Sequence, residues 1–134
     1  MLIYLMVLHF LADFILQSRE MGQKKSSELK WLGKHLAIQF AVFFIGLMWF
    51  TEAAFLLAAL NIIIHGVIDW YIWRGYKWTV GEWLKHNPEH PTTKHFVETG
   101  IYKYWEDHMF YTTIGLDQLL HVSTLIGLWM WLCQ

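Results

Sequence analysis

Four apolar stretches separated by polar connectors constrain this chain more than any other feature. They cover residues 1–17, 31–50, 53–73 and 110–132. The last three reach the roughly 20 residues that an α-helix needs to cross the hydrocarbon core of a membrane, and the first is marginal. Only Thr51 and Glu52 separate the second stretch from the third, which predicts a tight helical hairpin. We therefore predict one all-α domain over 1–134, a four-helix transmembrane bundle with a mixed connector before its last helix.

The positive charges of the chain fix an expected orientation. All ten Lys and Arg residues lie in or beside the connectors 18–30 and 74–109. The positive-inside rule then places both connectors in the cytoplasm and both termini outside it. We interpret the basic cluster in the first connector as a topology signal that contacts lipid headgroups. That cluster comprises Arg19, Lys24 and Lys25.

The composition supports the membrane interpretation and narrows the expected partners. Hydrophobic residues make up 56% of the chain and charged residues 16%, against roughly 25% charged residues in an average soluble domain. A soluble helical protein with unusually apolar helices is the competing interpretation. The formal net charge of −1 gives no argument for nucleic acid, so the lipid bilayer is the expected partner. The sequence leaves a homo-oligomer open.

Three of the apolar stretches carry a histidine and an aspartate four residues apart. The pairs are His9/Asp13, His65/Asp69 and, in reverse order, Asp117/His121. A four-residue step places both side chains on one face of a helix. The last span runs opposite to the first and third, so its reversed order again puts histidine deeper and aspartate nearer the cytoplasm. Ionisable groups in a span are costly unless paired or bound, and we therefore predict one shared site in the cytoplasmic half of the bundle.

Further polar residues extend this predicted site. His35 lies in the second span, and four amides lie near the same strips, namely Gln17, Gln39, Asn61 and Gln118. We expect seven side chains to bind metal: His9, Asp13, His35, His65, Asp69, Asp117 and His121. The amides would orient ligands or substrate. Bundles commonly build metal sites from inward-facing ligands in this way.

The donor set determines which cofactor we expect. It offers nitrogen and oxygen without sulfur, because the single cysteine is Cys133 at the end of the chain. Such a set suits zinc first, and also iron, manganese, cobalt or nickel. The donors exceed one tetrahedral shell, so we expect a divalent metal as one ion or two. Two alternatives remain, polar residues that only hold the helices together and a path for protons or ions.

The second connector holds other candidates. His86, His90 and His95 lie in a turn-rich stretch that we interpret as an exposed loop. Asp107 and His108 precede the last span, and we interpret them as a cap on its N-terminus.

Four segments together resemble a family of small membrane proteins from bacteria and phages that is known as a domain of unknown function. The segments are HFLADFILQ with the following MGQKKS, LGKHL, IIIHGVIDW and FYTTIGLDQLLH. The resemblance implies an integral protein of the bacterial inner membrane, phage- or host-encoded, and supplies no activity. Its motif residues are His9, Asp13, Gln17, His35, His65, Asp69, Asp117, Gln118 and His121. A more distant likeness is to membrane-bound metal-dependent hydrolases.

The leading hypothesis is a metal-dependent hydrolase that acts on a phosphorylated or ester-linked substrate. The substrate would approach from the inner leaflet or the cytosol. One of Asp13, Asp69 and Asp117 would serve as general base, and the sequence does not distinguish them. The alternatives are a metal-ion or proton transport protein, and a phage or host membrane interaction protein with a structural metal.

Overall fold

The structure, a computed structural model, describes residues 1–133 and contains helices but no strands over that range. Six α-helices are joined by short turns. They are α1 (Leu2–Phe10), α2 (Arg19–Lys24), α3 (Leu29–Leu47), α4 (Ala54–His86), α5 (Pro91–Thr99) and α6 (His108–Cys133). A π-helical turn, Leu11–Ile15, continues α1, and a 3₁₀ turn, Tyr104–Glu106, precedes α6. The predicted all-α class is confirmed.

The four longer apolar elements enclose a common interior. Helix α3 packs against α4, α4 packs against α6, and α1 contacts both α3 and α6. The interior is apolar near the α3–α4 hairpin, where five large side chains are at most 1% exposed. They are Leu5, Phe43, Leu47, Leu57 and Leu125. Toward the connectors the interior becomes polar.

Two helices, α4 and α6, are long and apolar enough to cross a membrane, judged by length and composition. Only 33% and 28% of their apolar windows are buried, so most of each window faces outward. A core helix of a soluble protein would be mostly buried. Among the described residues, α1 with its π-helical turn is a shorter apolar helix.

The second connector differs from the prediction because much of it is helical. Helix α4 continues past residue 73 and ends at His86. Asn87 is its C-cap and precedes Pro88, whose ring disfavours helical geometry in the residue before it. Val80 is buried, which gives this extension an inner face. Hydropathy marks where the apolar part of a helix stops rather than where the helix ends, so it could not locate this end.

The loop interpretation of the connector histidines is therefore wrong in part. His86 lies in the last turn of α4, and His95 lies within α5. His90 caps α5, where its side chain accepts from the Thr92 backbone N–H, and Pro91 occupies the favourable first position. His86 and His90 are exposed, as expected of a solvated segment. The predicted cap on α6 is present, because Asp107 Oδ1 accepts from Met109 N at 2.8 Å, but His108 already belongs to the helix.

Candidate metal centre

The structure brings the seven predicted ligands into one buried cluster. They come from α1 and its π-helical turn, from α3, from α4 and from α6, and none is more than 4% exposed. The members are His9, Asp13, His35, His65, Asp69, Asp117 and His121. We call this set the His/Asp cluster. Helical spacing explains why each helix presents its polar residues inward, and the packing of four helices explains why those faces meet.

Three donor atoms in the cluster, from His35, His65 and Asp69, are separated like ligands of one tetrahedral ion, and Asp13 lies beside two of them. The Nε2 atoms of His35 and His65 lie 2.9 Å apart. Asp13 Oδ1 lies 3.1 Å from the first nitrogen and 3.6 Å from the second. Asp69 Oδ2 lies 3.2 Å and 3.3 Å from the same two atoms. A tetrahedral zinc ion with bonds of about 2.0–2.1 Å holds its ligand atoms about 3.3 Å apart.

The remaining donors form an adjoining group around Gln118. The Gln118 Nε2 amide donates to Asp13 Oδ2 at 3.0 Å and to Asp117 Oδ2 at 3.2 Å. Its Oε1 accepts from His9 Nε2 at 3.1 Å. The His121 ring stacks on His65 with a centroid separation of 3.9 Å. One amide thus links the carboxylates of two helices and connects the two halves of the cluster.

Several buried polar atoms here have no hydrogen-bond partner, which tests whether the cluster fits a metal. Both ring nitrogens of His121 and the Oδ1 atom of Asp117 are of this kind. Buried polar groups are normally paired, so unpaired atoms beside other metal-binding side chains are what a site for an ion would leave. Three groups of three side chains place one donor atom each within 4.8 Å of one another. The His/Asp cluster could therefore hold a metal ion.

Asp13 lies in the π-helical turn, Leu11–Ile15, rather than in a regular helix. Its carboxylate is 3.9 Å from His9 Nε2, four residues earlier, but 3.1 Å from His35 Nε2 on another helix. The wider turn thus directs Asp13 across the interior. Such turns are frequent at functional sites, and the sequence carries no signal that would have revealed this one.

Lys25 belongs to the site and was missed. Its Nζ atom lies 2.8 Å from Asp69 Oδ1, 3.4 Å from Asp13 Oδ1 and 3.4 Å from His35 Nε2, and the residue is 4% exposed. The interpretation of Lys25 as a headgroup contact is therefore wrong. Burial alone would lower the pKa of Lys25, but the neighbouring Asp69 and Asp13 carboxylates raise it above its usual value, so the ammonium stays charged.

The chain just after α2 explains why Lys25 turns inward. Ser18 caps α2 by accepting from Met21 N at 3.2 Å, and Met21 is buried. After the helix, Arg74 Nε donates to Ser26 O at 2.8 Å and Lys77 Nζ donates to Ser26 Oγ at 2.8 Å. These contacts from α4 hold Ser26 at 1% exposure and thereby fix the residue before it. The sequence signal that could have pointed to Lys25 is the MGQKKS segment, which carries part of the family resemblance and contains Lys25 and Ser26.

The predicted amides have different places. Gln39 Nε2 lies 3.3 Å from His65 Nε2, so it touches the cluster, as Gln118 does. Asn61 is buried at 4% exposure, and its Nδ2 atom has no hydrogen-bond partner. Gln17 lines a neighbouring cavity and its Oε1 atom is also unpartnered.

A cavity of about 540 Å³ adjoins the cluster on the side of the connectors. Asp13, Lys25, Asp117 and Gln118 form its polar end. Aromatic side chains form much of its wall, namely Phe14, Trp73, Tyr76, Tyr102, Tyr104 and Phe110. The volume is in the usual range for a small-molecule site.

The aromatic wall is tied to the start of α6. Tyr76 and Tyr102 both donate to Asp107 Oδ2, at 2.9 Å and 3.1 Å. Burial and the Asp107 carboxylate raise the pKa of Tyr102 to about 12 and also raise that of Tyr76, so both phenols remain neutral donors at physiological pH.

The fold and the site define an all-helical protein with a buried cluster of histidines and aspartates that could hold a metal ion. Over residues 1–134 the chain matches the family described as "Protein of unknown function (DUF3307)", and it belongs to that family. Comparisons with curated proteins and with solved structures found no match. The expected membership in a family of unknown function is thus confirmed.

Proposed function

We propose that this protein is a metal-dependent hydrolase embedded in the bacterial inner membrane. Its substrate would carry a phosphorylated or ester-linked group and enter through the 540 Å³ cavity. The observation that carries the proposal is the set of three donor atoms, from His35, His65 and Asp69, that lie 2.9–3.3 Å apart, with the Asp13 carboxylate 3.1 Å from His35 Nε2 beside that cavity. A divalent ion held there would supply Lewis acidity and would lower the pKa of a bound water molecule.

The outward faces of the helices support a position in lipid. Each of α1, α3, α4 and α6 exposes a large aliphatic side chain by more than 60%, which would contact water in a soluble protein. These are Ile3 at 79%, Ile45 at 61%, Ile63 at 62% and Leu119 at 63%. Apolar surface of this extent is typical of membrane or protein contacts. The proposal thus includes four spans, connectors in the cytoplasm and both termini outside.

The cavity suggests how the cluster divides its tasks. Asp13 lines the cavity, whereas His35, His65 and Asp69 do not. We assign the latter three as metal ligands and Asp13 as the general base, because a base must reach both the ion and the substrate. Asp117 also lines the cavity, but its nearest imidazole is His121, at 3.6 Å.

The apolar end of the interior favours hydrolysis over transport. A conducting path would have to continue from the His/Asp cluster to the opposite membrane face. Phe43, Leu47 and Leu57 are fully buried there, at 0% exposure, and they fill the space between the helices. A site open at one end suits a reaction whose substrate and product use the same entrance.

The test is turnover by detergent-purified protein that has been stripped with a chelator and reloaded with zinc. The substrates are p-nitrophenyl phosphate, a phosphodiester analogue, a carboxylic ester analogue and vesicles that contain a phosphorylated lipid. We expect turnover of at least one substrate only after reloading. Asp13→Asn should retain the ion but lose roughly a hundredfold or more in kcat.

The matched control is Glu98→Gln, which makes the same carboxylate-to-amide change at an exposed position of α5, outside the cluster and the cavity, and should keep wild-type kcat. Turnover without metal would contradict the proposal, as would full activity in Asp13→Asn. Bound metal with no turnover of any substrate would favour the alternative of a structural metal in an interaction protein.

A further inference from the structure

We propose that the Lys25 ammonium is the fixed second cation of the His/Asp cluster and limits it to one divalent ion. The inference rests on the metal centre of the proposed function and specifies its stoichiometry. The cluster has enough donors for two ions but, with Lys25 present, enough negative charge for only one.

Lys25 contacts both carboxylates that lie beside the imidazoles of His35 and His65. Asp69 uses its two oxygens differently, because Oδ2 faces the imidazoles of His35 and His65 while Oδ1 lies 2.8 Å from Lys25 Nζ. Asp13 Oδ1 is also 3.4 Å from Lys25 Nζ. The ammonium thus compensates part of the negative charge of both carboxylates without using the donors around Gln118.

Donor atoms do not limit the number of ions. His9, His121 and Asp117 remain once roles have been assigned to His35, His65, Asp69 and Asp13, and both nitrogens of His121 lack hydrogen-bond partners. His9, Asp13 and His121 form one of the triads that could hold an ion. A second ion would therefore find ligands in the adjoining group around Gln118.

The net charge of the His/Asp cluster limits the number of ions that it can bind. With neutral imidazoles, the carboxylates of Asp13, Asp69 and Asp117 carry three negative charges, and Lys25 reduces the net charge to −2. One divalent ion brings the cluster to neutrality. A second ion would leave two positive charges without partners in a buried site, which is strongly unfavourable. Without Lys25 the same three carboxylates would compensate most of the charge of two ions.

Contacts at Ser26 hold Lys25 in this position as part of the fold. Arg74 and Lys77 hold Ser26 from α4, and Lys25 directly precedes it. Lys24, one residue earlier, is instead directed to the ring of Trp31, with its Nζ atom 5.6 Å from the ring centroid. The neighbouring lysine thus provides a control with the same charge outside the cluster.

The experiment is a zinc titration of chelator-stripped, detergent-purified protein, followed by elemental analysis after removal of free metal. Four chains are compared: wild type, Lys25→Gln, Lys25→Arg and Lys24→Gln. We expect one tightly bound ion in wild type, Lys25→Arg and Lys24→Gln. In Lys25→Gln, the affinity for a second ion should be higher than in wild type by a factor on the order of ten or more. Close to two ions per chain should then be retained.

Each outcome decides a different point. Two ions of similar affinity in wild type would overturn the inference and leave the metal centre intact, and this result needs no variant that folds. A Lys25→Gln chain that folds and still binds a single ion would also overturn it. A wild-type chain with no ion would instead overturn the proposed metal centre, and the inference with it. Gain of a second ion in Lys24→Gln would show a general surface-charge effect and contradict the role of Lys25.

Discussion

The two ends of the helical interior are built from the same four helices, but one end is filled with apolar side chains and the other with polar and charged ones. Near the α3–α4 hairpin, Leu57 and Phe43 are fully buried among other apolar side chains. Two turns further along α4, His65 is equally buried but lies among imidazoles, carboxylates and an ammonium. Close packing explains the first end completely, whereas the second contains polar atoms that packing leaves without partners.

The two ends therefore differ in role: the apolar end stabilises the fold, and the polar end contains the candidate site. Filling an interior with aliphatic side chains contributes dispersion contacts at little cost. Burying charged groups costs free energy unless each is paired or bound, and measured polar contacts between membrane helices contribute only about 0.6 kcal/mol on average. The His/Asp cluster is therefore better explained by a ligand than by stability.

The largest expected effect lies at the apolar end. Leu57→Ala should lower the free energy of unfolding by about 3 kcal/mol, because it leaves a cavity among fully buried neighbours. Chemical denaturation of detergent-purified protein measures this, and zinc content per folded chain should not change. Ile63→Ala on the outer face of the same helix is the control and should cost about 1 kcal/mol or less. Equal losses in the two variants would contradict the assignment of inner and outer faces.

At the polar end the expected pattern is reversed. His65→Ala should weaken zinc binding on the order of a hundredfold. The His65 Nε2 atom lies 2.9 Å from His35 Nε2 and 3.3 Å from Asp69 Oδ2, as ligand atoms of one ion do. The unfolding free energy of the metal-free protein should change by only about 0.6 kcal/mol. Zinc titration and denaturation of the stripped protein separate the two effects. Unchanged zinc affinity together with a large loss of stability would show that the cluster only holds the helices together.

The two ends should also differ in their dependence on pH. Imidazole must be deprotonated to bind a metal, so zinc affinity should be highest near pH 8 and fall on the order of tenfold or more by pH 5. The destabilisation caused by Leu57→Ala involves no titrating group and should be similar at both values. Zinc titrations at pH 8 and pH 5 test this, and equal affinities would contradict imidazole ligation.

The smallest expected effect lies outside both ends. Asp107→Ala removes the side-chain cap of α6 and the acceptor shared by Tyr76 and Tyr102. Loss of such a cap costs about 1 kcal/mol, which thermal denaturation can detect. Zinc affinity should stay at the wild-type value, because the capped end is separate from the ligands. A drop in affinity as large as that of His65→Ala would show that this segment belongs to the metal centre.

The sequence predicted the membership of the cluster because that part of the fold follows local rules. Four-residue spacing places His65 and Asp69 on one face, and the reversed order of Asp117 and His121 matches a helix of opposite direction. These rules hold whatever the neighbouring helices do. The structure accordingly brings all seven predicted ligands together.

The remainder depends on contacts between distant segments, which spacing does not encode. Lys25 enters the cluster because Arg74 and Lys77, about fifty residues later, hold the chain at Ser26. Asp13 reaches His35 through a π-helical turn, which forms only where tertiary contacts stabilise it. The extension of α4 to His86 was also missed, since its mixed composition resembles that of a connector.

The most direct test of a metal centre is X-ray absorption at the zinc edge of the reloaded wild-type protein. The account predicts a shell of nitrogen and oxygen at about 2.0–2.1 Å, with the outer-shell scattering that imidazole ligands produce and no sulfur. A hydrated ion without imidazole scattering, or a protein that retains no zinc, would contradict it.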